Sequence, residues 1–234
     1  MTTASNTGIF LRAALDGAPF MLVVAPFGLL FGVISTEAGL SLAEVIAFSV
    51  LVIAGAAQFT ALQLMLEHAP TLLILAAGLV VNLRMAMYAA ALAPHLGAAP
   101  LRWRLLMGYF NFDQSFALGL QAYEAQPAWS MPQKIAYFLG VALPLGGLWV
   151  LVTWLGAVTG AIIPDNYALD FAMPITFLAL VAPGLKSPAH MAAAATSIAL
   201  ALALAWLPAG LGLILAAMAA MAVGAEVERR GAGP

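Results

Sequence analysis

Apolar residues run through this chain in long blocks separated by short polar joints. Eight blocks can be marked, at residues 18–38, 42–66, 71–94, 105–122, 134–163, 168–183, 189–207 and 209–225. They lack the alternation of a half-buried strand, and a helix needs about 20 apolar residues to cross a hydrocarbon core ~30 Å thick. The joints, such as "EHAP", "HLGAAPLRWR", "EAQPAWSMPQK", "IPDN" and "PGLKSP", are rich in turn formers and too short for a separate soluble domain. The pattern predicts an all-α integral membrane protein, a polytopic helical bundle. Residues 1–234 form one transmembrane domain, with 1–17 a cytoplasmic N-terminal segment and 226–234 a cytoplasmic tail.

Composition points the same way. Of 234 residues, 64% are hydrophobic and 8% charged, against roughly 45–50% and about 25% in an ordinary soluble domain. In lipid every backbone polar group must be satisfied internally, so only helices and closed barrels span, and continuous apolar runs exclude the alternating barrel. The net charge of −2 gives no electrostatic case for nucleic acid. Cysteine is absent, which removes thiol catalysis and thiolate metal sites. His68 and His95 fall in joints and His190 opens a block, so no metal-ligand spacing arises. There is no HExxH, nucleophile elbow, Walker sequence or dinucleotide fingerprint, and the chain reads as a non-enzyme without a cofactor.

Two blocks depart from simple spans. The first carries Pro19 and Pro26, the latter in "PFG", which suggests a broken or re-entrant helix. The fourth would place Asn111, Asp113, Gln114 and Gln121 at bilayer depth. With eight full spans and a cytoplasmic N-terminus, Arg12, Lys134, Lys186, Arg229 and Arg230 fall inside, but Arg102 and Arg104 fall outside. If the first and fourth blocks dip in and return, all seven fall inside, as short cytoplasmic loops prefer. The expectation is six to eight spans, some broken or re-entrant. A possible internal repeat joins "GLLFGVISTE" (28–37) to "GAVTGAIIPD" (156–165), each a GxxxG followed by an acid; the alternative is that GxxxG recurs because small residues let membrane helices approach closely.

Intramembrane polar groups mark sites because each charge costs on the order of 2.5–3.5 kcal/mol at a helix centre. Asn82 and Arg84, in "GLVVNLRMAMY", are two apart and cannot share a helix face unless the helix is unwound there. Tyr88, one turn after Arg84, can support the guanidinium. Either Arg84 meets a ligand, or it snorkels or pairs with a buried carboxylate as helix glue. Gln58 follows four small residues and can bond a zwitterion or a neighbouring helix. Asp113 with Gln114 can counter Arg84, bind an ammonium or take up a proton; at an interface Asp113 is merely solvated. Asp170 starts a block that Pro174 kinks, and Phe59 and Met85 can line an apolar pocket or simply pack.

The ordered set "GAAQF" (55–59), "NLR" with a following tyrosine (82–88), an aspartate before "SFAL", and "LDFAMPITF" (169–177) resembles the AzlC-type branched-chain amino acid exporter family. The resemblance implies the large subunit of a two-component exporter in the bacterial cytoplasmic (inner) membrane, paired with a small AzlD-like membrane subunit and surrounded by lipid. It implies efflux of leucine, isoleucine and valine, and of methionine or analogues, driven by protons. Gln58, Phe59, Asn82, Arg84, Tyr88, Asp113, Gln114, Asp170 and Pro174 then become candidates for the transport pathway. The family commonly has histidine where this chain has Met85, and an acidic pair where it has Asp113-Gln114; both changes remove titratable groups. Two other classes compete: a non-transporting scaffold subunit, and an intramembrane enzyme with only Asp113, Asp170 and His95 to use.

Overall fold

A computed structural model describes residues 5–160, 185, 187–207 and 211–231. Among them the regular structure is entirely helical: α1 (Asn6–Glu37), α2 (Leu42–Leu51), α3 (Gly55–Leu66), α4 (Thr71–Leu96), α5 (Leu101–Tyr109), α6 (Asp113–Ala125), α7 (Met131–Gly160), α8 (Pro188–Ala203) and α9 (Leu211–Gly231). By length and apolarity α1, α4 and α7 are each able to cross a membrane. Contacts divide the chain into two compact units, Met1–Leu62 with Leu75–Tyr167, and Gln63–Ile74 with Ala168–Pro234.

Local signals start the helices. The Ser5 hydroxyl accepts from the Gly8 amide at 3.1 Å and opens α1. Ser41 and Glu44 form a capping box at the head of α2, satisfying two amides that would otherwise lack partners. Between them Gly39, at φ 87°, takes the left-handed conformation that lets the chain reverse within four residues. Ser187 caps α8, with Pro188 in its first turn.

The first unit is organised around α1 and α7. Phe10 lies against Gly140, Gly17 against Val141, Gly28 against Trp149 and Val152, and Val33 against Gly160. Residue numbers rise together along both helices, so they run parallel. A Cβ on Gly32 would overlap the Thr153 carbonyl oxygen, and one on Gly156 the Leu29 carbonyl oxygen. The two GxxxG stretches are thus joined as the two sides of one close helix contact. This packing also corrects the expectation for the first block: α1 continues through Pro19 and Pro26. Neighbouring helices make proline tolerable in a membrane helix, and α7 supports α1 on either side of the prolines.

Two blocks form helical hairpins: the second, which reads as a simple span, and the fourth, which reads either as a span or as a segment that dips in and returns. In the second block, Gln58 Nε2 donates to Ser49 Oγ at 3.2 Å. Nine residues along an unbroken helix would separate them by about 13 Å, so α2 and α3 fold back on each other at residues 52–54. In the fourth, α5 descends beside α4, the two lining one cavity, until Asn111 reaches Met85. The chain then reverses, and α6 climbs back along α4, placing Phe116 at Tyr88 and Tyr123 at His95.

The hairpins enter from opposite ends of α7. The α2–α3 hairpin follows the end of α1, which lies by Gly160; the end of α6 is tied to the start of α7 by the Tyr123 hydroxyl, which donates to the Lys134 carbonyl at 2.9 Å. Their tips meet near the middle of α7, where a Cβ on Gly146 would sit 2.9 Å from the Phe110 ring and 3.0 Å from the Ile53 side chain. The Tyr109 hydroxyl donates to the Val50 carbonyl and links one tip to the other.

In the second unit α8 and α9 pack antiparallel, Gly212 against Leu204 and Gly224 against Ala193. Glu226 binds Arg229 and Arg230 near the end of α9, at 2.8 and 2.6 Å.

Candidate functional site

The tip of the α5–α6 hairpin brings most of the predicted polar residues of the first unit together. Arg84 Nη1 lies 2.9 Å from Asp113 Oδ2, and the Tyr88 hydroxyl donates to Asp113 Oδ1 at 2.8 Å. Both carboxylate oxygens are engaged. Asp113 is also the first residue of α6, where exposed amides and the helix dipole favour a negative charge. The Tyr88 ring stacks on Phe116 with centroids 4.2 Å apart and planes within 8°, which fixes its hydroxyl over the carboxylate.

This arrangement corrects the local reading of α4. That helix is continuous through Asn82 and Arg84; the irregular backbone lies opposite, at residues 110–112. Tyr88 supports the carboxylate and also interacts with the Arg84 guanidinium. Arg84 does meet a carboxylate, the geometry expected of helix glue, and its side chain and that of Asp113 remain 30% and 46% exposed within this chain.

Several polar atoms here are left without partners. Asn111 Nδ2 donates to the Met85 carbonyl at 3.2 Å, while its Oδ1 has no donor. Arg84 Nε is likewise buried and unpaired, as is Asn82 Oδ1, which the unbroken α4 turns away from Arg84. Buried polar groups are nearly always satisfied in native structures, so a cluster of open positions beside an ion pair indicates where a polar ligand or water binds.

The α2–α3 hairpin holds a second polar group. Gln58 is fully buried, bound to Ser49 through its amide nitrogen, with Oε1 unpaired. The edge of Trp149 fills the space beside Gly55, where a Cβ would be 2.9 Å from the ring, and its Nε1 is also unpaired. Phe59, a pathway candidate by sequence, sits in an aromatic cluster with Phe27 and Phe31, 6.1 and 5.3 Å away edge to face. Gln114 follows Asp113 in the first turn of α6 and is half-buried. Asp170 and Pro174 lie outside the described residues.

Sequence reasoning did not single out Asn111 or Trp149 as site residues. For Asn111 a signal existed: Asn and Asp two apart in "YFNFD" favour a turn through side-chain to backbone bonding. Trp149 carries none, because a tryptophan in an apolar block reads as packing. The second helices of the two hairpins also share an order of residues, "QFTAL" at 58–62 and "QSFAL" at 114–118.

Apolar helices long enough to span, hairpins whose tips meet near the middle of α7, and an ion pair beside one tip are the features of a helical membrane protein with an internal polar site. The AzlC protein family model matches residues 19–163, more than half of the chain and all of the elements just described from Pro19 to Gly160, and the chain belongs to that family. Among its relatives, a protein of Archaeoglobus fulgidus described as an uncharacterized membrane protein is 29% identical over 190 residues, 80% of each chain. A second uncharacterized membrane protein, from Helicobacter pylori, is 25% identical over 177 residues, covering 73% of this chain and 75% of the relative. No solved structure matches.

Proposed function

We propose that this protein exports aliphatic amino acids, branched-chain ones foremost, as the large subunit of a two-component secondary transporter in the cytoplasmic membrane, with a small AzlD-like subunit as its partner. The observation that carries the reading is the Arg84–Asp113–Tyr88 cluster at a re-entrant tip. A zwitterion can open this pair without leaving a charge bare: its carboxylate replaces Asp113 at Arg84, and its ammonium replaces Arg84 at Asp113. A solute with a single charge would leave one partner unpaired in a low-dielectric site, which is costly. Protonation of Asp113 weakens its hold on Arg84 and couples opening to a proton gradient, with no need for a titratable group at Met85 or Gln114.

The test is counterflow of labelled leucine in proteoliposomes holding this chain with and without its small partner. Substrate-dependent flux that Asp113→Asn makes insensitive to the proton gradient is the expected result. The complete engagement of Asp113 favours one other reading, a scaffold subunit in which the pair serves only as glue. A scaffold leaves no flux that responds to Asp113.

The same reading includes a topology: α1, α4 and α7 cross, and both hairpins return to the side from which they enter. Arg12, Arg102, Arg104 and Lys134 then gather at the end where α7 begins, which places that end in the cytoplasm. The paradox of Arg102 and Arg104 disappears, since α5 starts on the cytoplasmic side. Because the chain has no cysteine, single replacements report this directly with an impermeant thiol reagent. Ala98→Cys and Gln126→Cys are expected to label from the same side and Leu40→Cys from the other. Labelling of 98 and 126 from opposite sides would mean the α5–α6 segment crosses.

A further inference from the structure

A cavity of about 220 Å³ opens between α4 and α5, bounded also by Phe138 of α7. Its walls are apolar, with Leu92, Leu96, Met107 and Phe138 prominent, and two polar side chains share its lining, Arg104 from the first turn of α5 and Asn111 from just past its end. Asn111 is next to the hairpin tip, 5% exposed, with its amide nitrogen committed to Met85 and its Oδ1 lacking a donor. Two residues further on, Asp113 holds Arg84.

We infer that this cavity receives the apolar side chain of the transported solute, with the solute's ammonium at Asp113 also donating to Asn111 Oδ1 and its carboxylate reaching Arg84. The inference rests on the transport reading and adds to it the residues that set chain size. Asn111 orients the solute: an acceptor without a donor calls for N–H groups there, and the apolar walls then take the aliphatic chain. A lipid tail in the same space would bring nothing to Asn111, and would leave its carbonyl unpaired. The volume lies below the roughly 300–1,000 Å³ typical of drug-sized ligands, so the ligand is a small primary amine with a compact aliphatic chain.

Two substitutions change the cavity in opposite senses, which separates specificity from general damage. Ala93→Leu fills it and Met107→Ala enlarges it. The readout is the ratio of leucine to alanine counterflow in proteoliposomes containing this chain and its small partner. One methylene in an apolar pocket discriminates by about 10–200-fold, so Ala93→Leu is expected to lower the ratio by roughly tenfold or more. Met107→Ala should raise it and should admit phenylalanine. Asn111→Leu, which removes the acceptor, should reduce flux of both amino acids. Ratios that stay within about twofold of the unmodified protein, or that move the same way in both cavity variants, overturn the assignment of the cavity while leaving the transport reading intact. Absence of flux for any amine in the unmodified protein overturns both.

Discussion

Arg84→Ala is expected to reduce leucine efflux on the order of 10- to 100-fold while much of the protein still reaches the membrane. The substitution leaves Asp113 with the Tyr88 hydroxyl and the α6 N-terminus but no counter-charge. Breaking a fully buried pair costs about 3–5 kcal/mol; here the two side chains are 30% and 46% exposed in this chain, and a smaller cost of about 1–3 kcal/mol is expected after screening. Transport should suffer more than stability, because the solute carboxylate loses its cationic partner at the tip, and each 1.4 kcal/mol lost there is tenfold in rate. The double variant Arg84→Met, Asp113→Leu distinguishes the two effects. It removes both charges, so it should recover thermal stability in detergent toward that of the unmodified protein while efflux stays low. Efflux that remains unchanged in Arg84→Ala at normal protein levels would refute the role assigned to the pair.

Gly32→Leu should be the most damaging change in the first unit. The new Cβ would collide with the Thr153 carbonyl, and the adjacent Ala157 amide lies 2.6 Å from the same position. Both obstacles are backbone, so neither can rotate away, and relief requires α1 and α7 to separate along the contact that orders the unit. Overpacking alone costs about 1–3 kcal/mol, and loss of the neighbouring contacts at Gly28, Gly156 and Gly160 raises the expected total above ~3 kcal/mol. Gly147→Ala is the matched control, because nothing lies within 4 Å of its Cβ position. It should be neutral or stabilise by about 0.4–1 kcal/mol through reduced freedom of the unfolded chain. Melting in detergent followed by size exclusion reads both. A Gly32→Leu protein that melts with the Gly147→Ala protein would show that α1 and α7 do not meet as described.

The site was half legible in advance. Arg84, Tyr88 and Asp113 could be found from sequence because a charge in an apolar block is expensive and must have a partner or a task. What could not be found was the location of the backbone break. Two-residue spacing suggested that α4 unwinds at Asn82, yet α4 stays helical and the break falls in the partner segment, where the turn-favouring "YFNFD" lies. The break at residues 52–54 left even less trace, since "LVIAG" offers only a glycine; the cue is the later bond between Gln58 and Ser49.

The chain's composition and periodicity by themselves determined that it is helical and apolar enough for a membrane, and where its polar residues are concentrated, because lipid imposes those terms on every segment independently. Tertiary structure alone decided which segments turn back. A block of 25 apolar residues satisfies the hydropathy of a span and that of a folded hairpin equally well, and the difference arises only from contacts between elements: the glycine seam that holds α1 parallel to α7, and the space at Gly146 where both tips meet. Those contacts bring an arginine and an aspartate, 29 positions apart, within 2.9 Å of each other.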